Sequence, residues 1–276
     1  MWHFTADWHL NHNNIIKYCE RPFMSVEEKG LFDLAKKGSI PQSDLRISDA
    51  STKLMTDTII DSTNAVVRHD DTLVIIGDYC STGRQNRFAV AKQYRDRINC
   101  KNVFLIMGNH DNRQVLSPLF SAVYDHYTWN VDGQHIFTDH YPCRSWDGAH
   151  HAAWMLYGHV HDLFNPEDNG DLMPYDKKML KEGFESVLGR HSSVLATVHE
   201  REQIIQDLLA VAASLKGVDL TVDVGVDNRI RGLHVPFGTP WSMDDLRTYM
   251  KPKKSRWEAR NEVFKSFGTD TGRTVK

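Results

Sequence analysis

The stretch "WHFTADWHLNHNN" (residues 2–14) joins a short apolar run to a polar cluster that includes Asp7, His9 and His12. A short apolar run of this kind predicts a buried strand. In sheets that alternate with helices, functional sites form at the carboxyl ends of the strands. We therefore interpret residues 2–6 as an inner strand and the polar residues after it as part of a site.

Five further apolar runs predict buried strands, and helical patterns lie between them. The strand runs are "TLVIIG" (72–77), "NVFLIMG" (102–108), "QHIFTD" (134–139), "AWMLYG" (153–158) and "DLTVDVG" (219–225). The helical patterns cover residues 25–38, 51–67, 84–98, 197–217 and 241–250. Strands that alternate with helices predict a layered α/β fold.

The composition is typical of a globular protein, with 276 residues that are 41% hydrophobic and 25% charged. We expect a single domain over residues 1–250, with insertions at about 30–50 and 163–217 that interrupt the alternation. The insertions could form a lid, a substrate wall, a dimer contact or surface decoration. Residues 251–276 carry eight Lys/Arg against three Asp/Glu. We expect them to form a basic C-terminal helix and tail.

Net charge and cysteine usage bear on partners and location. The formal net charge of −3 favours neither a nucleic-acid nor a membrane partner. No apolar run approaches the roughly 18 residues of a membrane span. The four cysteines form no CxxC pair, which favours reduced thiols, and the N-terminus lacks a secretory signal. We therefore expect a cytoplasmic protein, and the sequence makes no prediction of its oligomeric state.

Residue types that bind metals follow five of the six predicted strands. They are Asp7 and His9, then Asp78, then Asn109, His110 and Asp111, then His140, and finally His159 and His161. In extended backbone, side chains two residues apart point the same way, so Asp7/His9 and His159/His161 could each present two ligands to one side. Imidazole and carboxylate suit zinc, iron and manganese, and the lack of cysteine argues against a purely structural zinc site.

These motifs, in this order, resemble the calcineurin-like metallophosphoesterase superfamily. The matching motifs are "DWH" (7–9), "GD" (77–78), "GNHD" (108–111), a lone His140 and "GHVH" (158–161). The stretches "NHNNIIKY", "VGVD" and "PWSMDDL" also resemble compact, single-domain bacterial and phage members. The resemblance implies an α/β (α+β) fold with a two-sheet β-sandwich core flanked by helices, here with a helical insertion.

The resemblance also implies two divalent metal ions. The expected ligands are Asp7, His9 and His161 for the first ion and Asn109, His140 and His159 for the second, with Asp78 as the bridge. Manganese is the expected metal, although iron, zinc or nickel would suit the same donors.

The implied reaction is hydrolysis of a phosphate mono- or diester, plausibly a small nucleotide or cyclic nucleotide. A hydroxide that bridges the metals attacks phosphorus in line, and His110 beside the metals donates a proton to the leaving oxygen. In phosphoprotein phosphatases a second Asp orients this histidine, but "GDYCSTGR" (77–84) has Ser81 in its place. The group that orients His110 is therefore left open, and that branch of the superfamily is disfavoured.

Four residues are candidates for substrate contact. His12 and Asn13 are candidates by resemblance, although His12 could equally serve at a helix N-terminus. Arg21 and Arg144 are candidates because a guanidinium matches phosphate geometry, with surface ion pairs as the alternative.

Two other functions compete with small-ester hydrolysis. A nuclease could use the same dinuclear site, and it would need a basic surface that only the tail or the 163–217 insertion could supply. A non-catalytic scaffold would lack metal ligands, and none is missing here, so it ranks last.

Overall fold

The computed structural model describes residues 1–83, 86–143, 145–162, 181–186, 202–206, 208, 220–228 and 234–266, with side chains as far as residue 258. The chain divides into two compact units. The first is Met1–Leu163 with Thr221–Arg247, and the second is Phe164–Leu220 with Thr248–Lys276. The predicted limits of the domain, the insertions and the tail stay predictions.

The first unit contains a five-stranded sheet with the order β4-β3-β2-β1-β9. Its strands are β1 (Trp2–Thr5), β2 (Thr72–Ile76), β3 (Asn102–Ile106), β4 (Ala122–Tyr124) and β9 (Trp241–Ser242). Strands β1 to β4 are parallel, and β9 pairs antiparallel with β1. In the parallel register Thr5 lies beside Ile75, and Ile76 beside Ile106, so β1, β2 and β3 end at one edge.

A second sheet has the order β5-β6-β7-β8. Its strands are β5 (His126–Val131), β6 (Gln134–Asp139), β7 (Trp154–Tyr157) and β8 (Thr221–Asp223). Strands β5 and β6 form an antiparallel pair, whereas β6, β7 and β8 are parallel. The sheets meet where Ala6 N–H donates to Val224 O at 3.2 Å and Val226 N–H donates to Ala6 O at 3.1 Å. Both sheets therefore deliver strand ends to one place.

Helices connect the strands, and two of the helices begin at capping motifs that the sequence predicts. They are α1 (Asn13–Tyr18), α2 (Val26–Lys36), α3 (Asp49–Val66), α4 (Arg87–Arg95), α5 (Arg113–Leu116) and a C-terminal helix (Met243–Ser266). Ser25 and Glu28 form a reciprocal capping box at α2. Ser242 Oγ accepts from Asp245 N–H at 3.1 Å at the start of the C-terminal helix. Residues 181–186 and 202–206 are helical, and most of the helix predicted over 197–217 lies outside the described residues.

The predicted two-sheet α/β fold is confirmed, and all six predicted strands are present. Three strands were missed: β4, β5 and β9. The first and last have only three and two residues, too short for a pattern. In β5 only Trp129 and Val131 are buried, so it lacks the continuous apolar run that marks the inner strands.

Candidate metal centre

The loops after the strands adopt an unusual backbone at five of the predicted ligands. Asp7, His9, Asp78, His159 and His161 have φ of 57°, 47°, 55°, 71° and 46°, respectively. The left-handed region costs about 1–3 kcal/mol for residues other than glycine, and it persists only where the surroundings enforce it. Here Asp7 N–H donates to Gly77 O at 3.1 Å and His9 N–H to Asp78 O at 2.8 Å, so adjacent loops hold one another.

This backbone corrects one step of the sequence argument. The expectation that His159 and His161 face one way assumed extended chain, and both residues are left-handed instead. His159 Nδ1 lies 3.0 Å from Asn109 Oδ1, whereas His161 Nδ1 lies 2.7 Å from Asp227 Oδ2. The two histidines therefore lie on different sides of the site, in keeping with the expected division into two ligand groups.

Asp78 occupies the centre of the cluster. Its Oδ2 lies 3.3 Å from His9 Nε2 and 3.4 Å from His140 Nε2. Its Oδ1 accepts the backbone N–H of His110 at 2.9 Å. One buried carboxylate thus stands between an imidazole from each ligand group.

The two groups of ligands assemble on either side of Asp78. On one side, ligand atoms of Asp7, His9 and His161 all lie within 4.8 Å of one another. On the other side, Asn109 Oδ1 lies 3.1 Å from His140 Nε2 and 3.0 Å from His159 Nδ1. The structure therefore brings all seven predicted ligand residues together.

The donors suit divalent metal ions. The set comprises two carboxylates, four imidazoles and one amide oxygen, which match manganese, iron, zinc or nickel. His9 Nε2 is buried and has no hydrogen-bond partner. His140 Nδ1 lies 3.0 Å from the carbonyl oxygen of Ile76, which can only accept a hydrogen bond, so Nε2 is the nitrogen that faces Asp78. Buried polar atoms are normally paired, so the unpaired nitrogen of His9 fits the role of a metal ligand.

The calcineurin-like phosphoesterase family matches residues 4–208 of the chain, a span that includes all seven ligand residues. The chain belongs to this family. Family membership makes it a metal-dependent phosphoesterase and confirms the resemblance carried by the motifs. An uncharacterized protein of Methanocaldococcus jannaschii is 29% identical over 159 residues, which are 58% of this chain and 68% of the relative. The crystal structure of a protein of unknown function from Aquifex aeolicus is 20% identical with a TM-score of 0.38, covering 58% of this chain and 79% of that one.

Glycines allow the close packing of the phosphoesterase's ligand loops. A Cβ on Gly108 would lie 2.2 Å from Asp78 Oδ1. A Cβ on Gly77, whose φ is +83°, would lie 2.1 Å from His140 Nδ1. Both contacts are impossible for real atoms, so a side chain at either position would displace a ligand.

Asp111, the last residue of "GNHD", ties two loops together. Its Oδ2 accepts the N–H groups of Asp78 and Gly108, both at 2.9 Å, and its Oδ1 accepts that of Tyr79 at 3.0 Å. Burial raises the pKa of Asp111 to about 6 despite these hydrogen bonds. The "GNHD" motif includes Asp111, but nothing in the spacing of the motif predicts this supporting role.

Arg21 and Asp227 form a buried support that sequence reasoning missed. The guanidinium donates to Asp227 Oδ1 and Oδ2 at 2.8 and 2.7 Å, and to the carbonyl oxygens of Asp7 and Trp8 at 2.7 and 3.0 Å. Its fifth N–H faces the sulfur of Met55 at 3.3 Å. All five donors are used and the residue is only 2% exposed, so Arg21 is placed neither as a phosphate clamp nor as a surface ion pair.

Asp227 connects this support to the metal ligands. Its Oδ2 lies 2.7 Å from His161 Nδ1 as well as from Arg21. A carboxylate on one imidazole nitrogen orients the other nitrogen toward a metal. The residue lies in "VGVD", and its separation of 206 residues from Arg21 cannot be read from local spacing.

The histidines of the centre differ in their electrostatics. Burial lowers the pKa of His9 to about 2, which keeps the ring neutral and its lone pair available. Burial also opposes the charge on His161, but the hydrogen bond and charge of Asp227, with the charge of Asp7, raise its pKa to about 11. Burial likewise opposes the charge on His140, but Asp78 and Asp7 raise its pKa to about 9.

His110 and His12, two of the remaining candidates, lie beside the metal ligands. The His110 ring is 5.2 Å from that of His9 and 5.9 Å from that of His12, measured between centroids. No described residue donates to or accepts from the His110 ring, so its orienting group stays open. Asn13 is exposed at the start of α1, and Arg144 lies outside the described residues.

Proposed function

We propose that the phosphoesterase works with two divalent metal ions that share Asp78. The observation that carries this proposal is the position of Asp78 Oδ2, 3.3 Å from His9 Nε2 and 3.4 Å from His140 Nε2. The expected ligands are Asp7, His9 and His161 for one ion and Asn109, His140 and His159 for the other. When bound, the ions would supply Lewis acidity and offset charge on the phosphate. Manganese is the expected metal.

His110 is the proposed proton donor. Its backbone N–H donates to Asp78 at 2.9 Å, which fixes the residue relative to the shared ligand, and its side chain is exposed at the mouth of the site. During hydrolysis a water oxygen bonds to phosphorus as the ester P–O bond breaks. The leaving oxygen takes a proton from the His110 imidazolium, which the proton released by the attacking water later restores.

The proposed substrate is a phosphate mono- or diester with a small organic group, such as a nucleotide or cyclic nucleotide. Asp7, His9 and Asp78 are buried while Asn109 and His110 are exposed, so the site opens to solvent beside Asn109 and His110. All four cysteines are free, in keeping with the proposed cytoplasmic location. No helix among the described residues is long and apolar enough to cross a membrane.

The matched variants Asp78→Asn and His110→Ala test the assignment of roles. Purified protein would be stripped, reloaded with Mn²⁺ and analysed for metal by elemental analysis. Asp78→Asn should lose both ions, because the shared ligand is weakened. His110→Ala should keep both ions and lose activity chiefly on esters with poor leaving groups. Full metal content in Asp78→Asn would contradict the shared-ligand proposal, and loss of metal in His110→Ala would contradict the role of His110.

A substrate panel tests the function itself. The Mn²⁺-loaded protein would be assayed on p-nitrophenyl phosphate, bis-p-nitrophenyl phosphate, cyclic nucleotides and single-stranded DNA. Turnover of the small esters supports the proposal. Turnover of DNA far above the small esters would favour a nuclease, and no turnover with metal bound would favour a binding scaffold.

A further inference from the structure

A cavity of about 330 Å³ opens directly from the metal centre. This volume is within the range of small-molecule sites. Its lining includes Ser81, Thr82, Arg87, Asp111 and Asn112. His9 and His110 also line the cavity, and both belong to the centre already described. The cavity is therefore continuous with the site where the reaction is proposed.

The lining is rich in groups that donate hydrogen bonds to anions. Arg87 is exposed and makes no hydrogen bond or ion pair with the described residues, in contrast to the fully occupied Arg21. Ser81 and Thr82 add hydroxyl groups. Asn112 uses its Oδ1 to accept from Val115 N–H at 3.2 Å, which leaves its amide N–H groups for a ligand. A guanidinium with flanking hydroxyls and amides is a typical phosphate partner.

The single carboxylate among these lining residues does not oppose an anion. Both oxygens of Asp111 accept backbone N–H groups, from Asp78, Tyr79 and Gly108. Both carboxylate oxygens are thus already hydrogen-bonded within the ligand loops. The positive charge of Arg87 therefore has no competing acidic partner in the described wall of the cavity.

The position of His110 indicates which part of a substrate the cavity would receive. If His110 protonates the leaving oxygen, as proposed above, then the space that it shares with Arg87 lies on the leaving-group side. We propose that this cavity binds a second phosphate, carried by the leaving group. The substrate class is then a phosphodiester or phosphoanhydride with two adjacent phosphates, supplied by a nucleoside polyphosphate or a nucleic-acid strand. This inference rests on the proposed function of the site.

Calorimetric titration of the Mn²⁺-loaded protein tests the second-phosphate site without requiring turnover. Both probes resist hydrolysis: the phosphorothioate analogue of AMP, called AMP below, has one phosphate, and α,β-methylene ADP has two. The wild-type protein should bind the two-phosphate probe about tenfold more tightly than AMP, the effect of one charge-assisted contact. Arg87→Gln should remove this preference and change the affinity for AMP by less than about twofold.

Lys92→Gln is the matched control, because Lys92 is a second exposed cation on α4 that does not line the cavity and pairs with Asp96. It should keep the wild-type preference for the two-phosphate probe.

A phosphorothioate-linked thymidine trinucleotide provides a second experiment. Binding of this trinucleotide that depends on Arg87 identifies a nucleic-acid strand as the source of the second phosphate. Equal binding of both nucleotide probes and no Arg87-dependent binding of the trinucleotide would overturn the inference. Failure of the proposed function is separate, since it appears as absent turnover of the p-nitrophenyl esters.

Discussion

The two halves of the proposed metal centre are supported in different ways. The half formed by Asp7, His9 and His161 rests on a buried ion pair between Arg21 and Asp227. The half formed by Asn109, His140 and His159 has no such pair among the described residues. There the carbonyl oxygen of Ile76 orients His140, and close packing at Gly77 fixes its ring. We infer that the first half depends on a buried ion pair between residues far apart in the sequence, whereas the second depends on the shape of adjacent loops.

Arg21→Met should have the largest effect, because it removes the support of the first half altogether. Asp227 would be left buried without its cation, and two loop carbonyl groups would lose their donors. Breaking a buried pair in this way costs about 3–5 kcal/mol of unfolding free energy. Urea denaturation of the metal-free protein measures this loss.

The matched control is Arg97→Met, which breaks the partly exposed pair between Arg97 and Asp57. Its expected cost is below about 1 kcal/mol. Similar losses for the two variants would show that the buried pair contributes little, and the contrast between the halves would then disappear.

Gly108→Ala should disable both halves at once through Asp78. The new Cβ would lie 2.2 Å from Asp78 Oδ1, so the shared ligand must move. A displacement of about 1 Å can cost roughly a hundredfold in activity. Activity on bis-p-nitrophenyl phosphate and metal content should both fall.

Gly30→Ala is the control. Gly30 lies inside α2, and a Cβ there meets nothing within 4 Å, so the substitution should stabilise the protein by about 1 kcal/mol. Normal metal content in Gly108→Ala would show that Asp78 tolerates displacement.

Asp227→Asn should weaken metal binding in the first half of the site and spare the second half. An amide retains the size of the side chain but supports His161 and Arg21 less well, so the first ion should be lost preferentially. Weakened outer partners typically cost about 10–100-fold in metal affinity. His159→Ala is the reciprocal variant and should lose the second ion. Metal titration followed by calorimetry would resolve the two events, and loss of both ions in either variant would mean that the halves do not act independently.

Sequence reasoning was most successful where the chemistry is local. Each inner strand ends directly before its ligand, as in "GD" and "GNHD", and parallel strands bring those ends to one edge. The left-handed backbone at Asp7, His9 and Asp78 could not be predicted, because adjacent loops enforce it through mutual hydrogen bonds. The structural role of Arg21 could not be predicted either, because its partner Asp227 lies 206 residues away in the sequence.

A pH profile of the metal-free protein gives the smallest and most selective test. The pKa values of His140 and His161 are raised to about 9 and about 11, above the unfolded value of 6.5. Their protonation therefore stabilises the fold fully below pH 6.5, and this contribution is lost as the pH rises through 9 and then 11. Between pH 6.5 and 9 both histidines contribute to this loss, and between pH 9 and 11 only His161 does. Asp227→Asn should therefore remove most of the slope above pH 9 and about half of the slope between pH 6.5 and 9, leaving the half that belongs to His140. Urea midpoints between pH 6 and about 10.5 measure both slopes, and loss of the whole slope below pH 9 would place both histidines in one electrostatic unit.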